Sequence, residues 1–260
     1  MPAMTLSAPR TRLYRAPKRT EQAEQVRLLR GALAGVAIDP ALPYTAQVVR
    51  ALKAAILSLR LMPRTPLSEV AIADVLGMSR TPVREALKEL SGEHLLDIFP
   101  QAGTVVSPIR MSLIERGIFV RDALECANLI DLMRTLDSAG RARIEQVLRA
   151  QHRAIAAANC ETFFQHDETL HRLLFELTGR LPIWNIVNQA KQHVDRARLL
   201  LTKHNFDICQ RAYGEHLDIM QALFACDEAV LRRTLRHHVT NVTDAVLEYA
   251  KRTPSDYFSD

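Results

Sequence analysis

The sequence has no apolar run long enough to cross a membrane. Arginine, histidine or an acidic residue interrupts each hydrophobic stretch before it reaches the roughly 20 residues that a spanning helix needs. Glycine and proline are not in excess, with 9 and 12 in 260 residues, and hydrophobic residues make up 48% of the chain. This composition excludes collagen-like and low-complexity proteins and is typical of a folded globular chain. We expect no interaction with a membrane.

The cysteines lack the spacing of a metal or redox motif. No CxxC pair exists, which excludes a zinc ribbon and a thioredoxin-like site, and we expect reduced thiols that lie mostly in the core: Cys126, Cys160, Cys209 and Cys226. No secretion signal follows the N-terminal arginines, which favours a cytoplasmic protein. An arginine-rich, acid-poor start also resembles a transit peptide, so this alternative stays open.

Positive charge is concentrated in the N-terminal part of the chain. The net charge is +5. Residues 1–44 hold seven Lys or Arg against three Asp or Glu, residues 45–110 hold eight against six, and the remainder holds nineteen against twenty. A polyanion such as DNA would therefore bind to the N-terminal part of the chain. For residues 1–44 alone, a solvated and partly disordered extension is the simpler explanation.

Hydrophobic periodicity predicts a mainly α protein, with an N-terminal winged helix-turn-helix and a C-terminal all-α antiparallel helical bundle. A weak helix is expected over 21–38, apolar residues at helical spacing follow Gln47, Ser68 and Ser79, and a β-hairpin pattern follows His94. Six further helices are expected: 112–136, 138–158, 161–178, 183–202, 208–225 and 228–251. The predicted parts are a basic N-terminal extension (1–44), the winged helix-turn-helix (45–110), the bundle (111–252) and a tail (253–260).

The segment from Ser79 to Leu87, SRTPVREAL, has the features of a DNA-recognition helix. Arg80 and Arg84 are one turn apart and share a face, from which guanidinium groups can reach base edges in a major groove. Val83 and Leu87 lie on the opposite face and would pack against the scaffold. The pattern therefore predicts contact with double-stranded DNA.

The same segment is identical to the signature of the GntR family of bacterial regulators, and the resemblance extends over about residues 47–108. It implies that the two arginines contact guanines of an inverted repeat and that the wing approaches the minor groove. We expect a homodimer to bind the two half-sites. The implied DNA-binding residues are Ser79, Arg80, Thr81, Pro82, Arg84, Gln101 and Gly103. Arg64 and His94 depart from the family pattern, because glycine is common at both positions.

Four polar residues fall on the apolar faces of predicted helices: Asp167, His171, His216 and His238. Three imidazoles and a carboxylate in one core are costly to bury unless they are satisfied, and one divalent cation would satisfy all of them. A hydrogen-bonded core histidine without a metal is the alternative for each one taken singly. His237 falls instead on the polar face and is predicted to be solvated.

These helices resemble the ligand-binding (FCD) domain of the FadR branch of the GntR family over about residues 112–250. The resemblance implies that the four residues bind Zn, Ni or Mn, since they match an Asp-x3-His, His, His set. It also implies that Arg121 faces a pocket, and we predict that Arg121, Glu125 and Asn128 bind a small organic acid. The alternative is a surface salt bridge between Arg121 and Glu125.

Together these features predict a transcription regulator and not an enzyme: a repressor released from its operator by a small carboxylate effector that binds near a divalent metal ion. One alternative is a metal-dependent all-helical enzyme, but the chain has no HExxH motif and a single ExxH spacing, Glu168 to His171. The other is an effector-independent architectural DNA-binding protein, which would leave the inward-facing histidines unexplained.

Overall fold

The computed structural model of the chain describes residues 19–202, 206–252 and 257–259. Its contacts divide the chain into two units, Met1–Ser107 and Pro108–Asp260. The prediction of a mainly α fold is confirmed. No helix in the described part of the chain is long and apolar enough to cross a membrane. The predicted disorder at the start of the chain and most of the predicted tail lie outside the described residues.

The first unit combines helices with a small antiparallel sheet. Its elements are α1 (Arg19–Ala32), α2 (Tyr44–Leu57), β1 (Pro66–Leu67), α3 (Glu69–Leu76), α4 (Arg80–Gly92), β2 (Leu96–Phe99) and β3 (Gly103–Val106). The strand order is β1-β3-β2. Strands β2 and β3 form the hairpin that the sequence predicts, with Leu96 opposite Val106 and Phe99 opposite Gly103.

Local sequence explains several turns of this unit. The Ser68 hydroxyl accepts a 3.3 Å hydrogen bond from the amide of Ala71 and caps α3, and Gly77, with φ +66°, ends the helix. Arg64 and His94 have φ values of +68° and +61°, in the left-handed region where a side chain is strained. This backbone conformation gives a physical reason why glycine is common at both positions in the family that the sequence resembles.

Helix α1 belongs to the core of the first unit. Leu29, Ala32 and Leu33 are buried and join the same apolar cluster as Leu52 and Ile72 of α2 and α3. The weak helix predicted over 21–38 therefore exists, but it begins at Arg19 and ends at Ala32. Short helices are marginal by themselves, so this packing is what stabilises α1.

The second unit consists of helices and two short strands. Its elements are β4 (Ile109–Arg110), α5 (Met111–Thr135), α6 (Ser138–Ala156), α7 (Cys160–Leu177), α8 (Leu181–Ala190), α9 (Gln192–Thr202), α10 (Asp207–Phe224), α11 (Glu228–Arg252) and β5 (Phe258–Ser259). Strands β4 and β5 pair in parallel, with Ile109 opposite Phe258 and Arg110 opposite Ser259. The sequence did not predict this pairing.

One predicted helix, 183–202, is wrong, because two helices separated at Lys191 cover that range. Lys191 has φ −85° and ψ 0°, outside helical geometry. Its buried ammonium group donates to Glu168 at 2.6 Å and to Asp195 at 2.5 Å. Apolar periodicity continues across a one-residue interruption, so the sequence pattern does not reveal the break.

The cysteines are less buried than predicted. All four are free, but only Cys209 is buried, Cys226 is exposed, and Cys126 and Cys160 are half-buried. Cys209 packs in an apolar cluster with Phe163.

Helix α5 passes very close to the end of α8 at Gly117. A Cβ atom on Gly117 would lie 2.7 Å from the carbonyl oxygen of Ala190 and 3.0 Å from Cγ2 of Val194. The first of these contacts involves backbone, which cannot rotate away from an added methyl group. The absence of a side chain at Gly117 therefore permits the observed packing.

Gly117→Ala is expected to lower the free energy of unfolding by about 1–3 kcal/mol, the usual range for overpacking a core. Gly214→Ala is the matched control, because a Cβ atom there would meet nothing within 4 Å. In the interior of α10 the control should be neutral or stabilising by up to about 1 kcal/mol. Urea unfolding followed by circular dichroism compares the two variants, and equal stabilities would contradict the close-packing explanation.

Candidate nucleic-acid interface and metal centre

The exposed face of α4 carries the two arginines of the predicted DNA-recognition helix. The side chains of Arg80 and Arg84 are 59% and 53% exposed. Val83, Ala86 and Leu87 on the opposite face are buried. The 3.6-residue period of the helix produces this division, because positions four apart lie on the same side. Both guanidinium groups are accessible to a nucleic acid.

Glu69 on α3 binds both arginines. Arg84 donates from Nη2 to Oε2 at 3.0 Å and from Nε to Oε1 at 3.2 Å, and Nη2 of Arg80 lies 3.5 Å from Oε2. The hydrogen bond from Arg84 is the largest cause of a lowered pKa for Glu69. Glu69 thus holds the two cations side by side. Sequence reasoning missed this residue, although its place in the first turn of the preceding helix was a signal.

The other predicted DNA contacts lie at the start of α4 and in the hairpin turn. Ser79 immediately precedes the helix, and Thr81 and Pro82 stand in its first turn, exposed and half-buried respectively. Gln101 is exposed with φ +61°, and Gly103 has φ +118°. Positive φ at both positions reverses the chain over a short distance and forms the tip of the hairpin of β2 and β3, which is the predicted wing.

The second unit brings together the four residues that were predicted to bind a metal. Asp167 and His171 come from α7, His216 from α10 and His238 from α11, and one ligand atom of each lies within 4.8 Å of the others. All four are buried. A His3Asp set of this kind suits Zn as well as Ni, Mn or Co. The neighbouring His237 has a side chain that is 70% exposed, as predicted.

Each histidine of the cluster places its Nδ1 atom beside an oxygen acceptor. The pairs are His171 with Glu125 (2.9 Å), His216 with Gln151 (3.0 Å) and His238 with Glu215 (2.8 Å). If each Nδ1 carries the proton, each Nε2 offers a lone pair to the centre of the cluster. Among the described residues, the buried Nε2 of His238 has no hydrogen-bond partner. This arrangement orients imidazoles toward a metal ion, and sequence reasoning identified neither Gln151 nor Glu215.

The protonation states also fit metal binding. Burial lowers the pKa of His216 and lowers that of His238 well below its usual value, so both rings are neutral at pH 7. Burial alone would raise the pKa of Asp167, but Arg198 and the histidines lower it well below its usual value. A carboxylate and neutral imidazoles are the forms that bind metals.

Arg198 on α9 is part of the cluster and was missed by sequence reasoning. Its Nη1 and Nη2 atoms donate 3.1 Å hydrogen bonds to the two carboxylate oxygens of Asp167, and its side chain is 10% exposed. Oδ1 of Asp167 also lies 3.2 Å from Nε2 of His216. A signal existed in the sequence, because Arg198 falls on the same helical face as the apolar Val194 and Leu201.

Arg121 lies inside the second unit. Its Nε donates to Oε1 of Glu125 at 2.7 Å, and both side chains are 3% exposed. Its Nη2 lies 3.5 Å from Nε2 of His171. Burial alone would raise the pKa of Glu125, but Arg121 and His171 lower it below its usual range. The alternative of a salt bridge is therefore found, but it is buried beside the cluster and not at the surface.

Asn128 has a different environment from the one predicted. Its amide nitrogen donates to the carbonyl oxygen of Leu174 at 2.9 Å, and its Oδ1 accepts from the Thr178 hydroxyl at 2.6 Å. These bonds connect α5 to the C-terminal end of α7. Asn128 therefore connects two helices and does not line the cavity that adjoins the cluster.

This cavity has a volume of about 50 Å³, measured as the space open to the centres of water molecules. Its polar wall consists of Arg121, Arg198, Arg211, Glu215, His238 and Asn241, and the remaining wall is apolar. The volume exceeds the roughly 10–15 Å³ that one water molecule requires on this measure. A small polar group can therefore be accommodated beside His238 and two buried arginines.

Comparison with known proteins identifies both units. The model of the family "Bacterial regulatory proteins, gntR family" matches residues 44–106, and the FCD domain model matches residues 118–241. The HTH-type transcriptional repressor RspR of Escherichia coli strain K12 is 30% identical over 223 residues, which are 86% of this chain and 97% of that protein. A probable D-xylose utilization operon transcriptional repressor of Paenarthrobacter nicotinovorans is 29% identical over 187 residues, 69% of this chain and 78% of that protein.

Two solved structures have the same fold. Escherichia coli McbR/YncC superposes with a TM-score of 0.66 at 20% identity, covering 80% of this chain and 99% of the other. A putative GntR transcriptional regulator from Rhodococcus sp. RHA1 also has a TM-score of 0.66, at 21% identity, covering 78% and 97%. With a DNA-binding helix-turn-helix, an FCD domain and relatives that are transcription regulators, the chain belongs to the GntR family of bacterial transcription regulators.

Proposed function

We propose that the protein is a repressor that binds an inverted-repeat operator as a homodimer and leaves it when a small carboxylate binds near a divalent metal ion in the FCD domain. The observation that carries this proposal is the buried His3Asp cluster beside a cavity with two buried arginines. Two of the relatives are named repressors, which supports repression as the direction of regulation.

Exposure of Arg80 and Arg84 supports direct contact of α4 with bases. A guanine edge offers two acceptors to one guanidinium group, and a bidentate pair of this kind discriminates between bases. In the free protein both arginines share the carboxylate of Glu69. Exposed ion pairs are worth little, so an operator can displace Glu69 without a large loss.

Arg84→Ala is expected to weaken operator binding by ~1 to 3 kcal/mol and to relax sequence preference at one position of each half-site, because a base contact is lost. Arg149→Ala, which removes an exposed arginine of the FCD domain, is the control and should bind as wild type does. Selection from random duplexes first defines the operator, and fluorescence anisotropy then compares the variants. An unchanged selected sequence for Arg84→Ala would exclude the proposed base contact.

Exposed apolar side chains on α5 and α8 support the homodimer. Phe119 on α5 is 75% exposed and Ile186 on α8 is 53% exposed. The ten residues of α8 include no charged side chain. Exposed apolar residues on neighbouring helices are typical of protein–protein contacts. The same anisotropy titrations give the stoichiometry, and one chain per operator would contradict the dimer.

The chemistry of the donor set supports a divalent ion. The three imidazoles and the carboxylate of Asp167 each offer one ligand atom, and these atoms lie within 4.8 Å of one another. The side chains of Glu125, Gln151 and Glu215 lie beside the Nδ1 atoms and leave the Nε2 atoms for the ion. A bound ion would supply a positive charge to which an effector carboxylate can bind directly. We propose Zn, Ni or Mn for this site.

His238→Ala is expected to reduce the affinity for Zn²⁺ by about 10-fold or more, because one of four ligands is lost. His237→Ala is the matched control, since that side chain lies next in sequence and is 70% exposed. Isothermal titration of metal-stripped protein measures both affinities, and elemental analysis of purified protein identifies the native ion. Equal Zn²⁺ affinity in the two variants would rule out this site.

Charge balance supports an anionic effector. The buried cations Arg121 and Arg198 are matched by the buried anions Glu125 and Asp167, and the carboxylate of Glu215, which also contacts the cluster, would offset one further positive charge. A divalent ion bound by Asp167 would add two positive charges to this group, and buried charge is costly unless it is compensated. A carboxylate that binds the ion and reaches the arginines would supply compensation. We retain Arg121 as an effector-binding residue, with Glu125 as the partner that positions it, and add Arg198.

A small carboxylic acid is expected to release the protein from its operator, whereas the amide of the same acid is not, because the amide lacks the negative charge. The measurement is fluorescence anisotropy of the operator complex during titration with a panel of acids and their amides. Adding EDTA should abolish the response, since the effector is proposed to bind at the metal ion. If no acid changes operator affinity, the effector-independent architectural alternative is favoured.

A further inference from the structure

Strand β4 begins directly after the residue that opens the second unit, and it is held from two sides within that unit. The amide of Ile109 donates a 2.7 Å hydrogen bond to the carbonyl oxygen of Tyr257, next to β5. The amide of Arg110 donates to Nδ1 of His193 on α9 at 3.2 Å. Two successive backbone amides of the strand therefore donate hydrogen bonds to two different parts of the second unit.

Side-chain packing fixes β4 and the two elements that bind it, His193 and β5. The side chain of Ile109 is fully buried and that of His193 is 3% exposed. The ring of Phe258 in β5 contacts the ring of Tyr249 on α11, with centroids 6.0 Å apart. A pairing of two residues per strand is too short to persist by itself, so these contacts keep β5 against β4.

Helix α9 connects the strand to the buried cluster. His193 near its start binds Arg110, and Arg198, five residues later, binds both oxygens of Asp167. Five residues of an α-helix span about 7.5 Å, so the two contacts belong to one short, stiff element. A displacement of α9 that alters the contact of Arg198 with Asp167 therefore also displaces His193, which holds β4.

We propose that β4, β5 and His193 form a linker clamp that couples the cluster to the segment leading into the DNA-binding domain. This coupling rests on the proposed function of the cluster as a metal and effector site. A ligand that changes the position of Asp167 or Arg198 shifts α9. Strand β4 is held between α9 and β5. It then either moves with α9 or loses one of the two hydrogen bonds that its backbone amides donate, and either change alters the restraint on Ser107 and Pro108. The C-terminal residues 257–259 are thus part of the switch.

Hydrogen exchange at single amides tests the clamp without any ligand. In a chain that ends at residue 256, the amide of Ile109 should exchange about 10-fold faster or more than in wild type, because its acceptor is lost. A chain lacking only Asp260 is the control and should exchange as wild type does. Amides of α7 report whether the truncated chain is otherwise folded. Unchanged exchange at Ile109 in a folded truncated chain would overturn the clamp.

A pair of substitutions tests the other side of the strand. His193→Leu removes the acceptor and should accelerate exchange at Arg110, whereas His193→Asn places an amide oxygen close to the position of Nδ1 and should retain much of the protection. These variants keep the C-terminus and so remain informative if truncation destabilises the protein. Equal exchange at Arg110 in His193→Leu and wild type would show that His193 does not hold the strand.

Zn²⁺ alone serves as the probe of coupling. In wild type, saturating Zn²⁺ should change the exchange rate at Arg110, and in the truncated chain it should bind with the same affinity by calorimetry but leave exchange at Ile109 unchanged. If Zn²⁺ binds wild type and alters neither amide, coupling through α9 is overturned. If Zn²⁺ does not bind wild type, the proposed metal site fails, while the truncation and His193 experiments still decide whether the clamp exists.

Discussion

Compensation of buried charge around Asp167 is the constraint on which the FCD domain depends. A carboxylate removed from water is stable only if cations or hydrogen-bond donors surround it. Arg198 supplies both of its hydrogen bonds, and His216 approaches one of the same oxygens. Because these partners come from α9 and α10 while Asp167 belongs to α7, the position of one carboxylate restrains three helices at once.

The same arrangement explains why the cluster suits a switch. Glu125 with Arg121 forms a second buried pair that touches His171, so the two ion pairs and three imidazoles make one connected network. A ligand that binds His238 and the arginines of this network would redistribute contacts among α5, α7 and α9, because Arg121 and Arg198 already bind carboxylates of α5 and α7. Helix α9 passes this redistribution to the strand that follows the DNA-binding unit.

Arginine serves opposite purposes in the two units. On α4, Arg80 and Arg84 are exposed and share one acidic partner, which leaves them available to a polyanion. In the FCD domain, Arg121 and Arg198 are buried and are paired with Glu125 and Asp167. The difference arises from position around the helix. Arg80 and Arg84 lie opposite the apolar face of α4, whereas Arg121 and Arg198 lie on the buried faces of α5 and α9.

Local pattern was sufficient for much of the fold and of the candidate site. The recognition helix, the hairpin and the inward faces of Asp167, His171, His216 and His238 follow from periods of 3.6 and 2 residues, which depend on neighbours along the chain. The same patterns extended one helix across the break at Lys191, because a single non-helical residue does not change the apolar period. They also placed Asn128 in the site, although its amide connects α5 to α7.

The sequence by itself determined which faces of the helices are buried and which chemical groups those faces carry, because backbone geometry converts spacing directly into direction. Only the tertiary structure decided which helices meet: that Arg198 binds Asp167, that Gln151 and Glu215 support the histidines, and that the C-terminal strand pairs with the strand after the DNA-binding unit. These contacts join residues far apart in the chain, and their formation depends on how the helices pack in three dimensions, which no local period encodes.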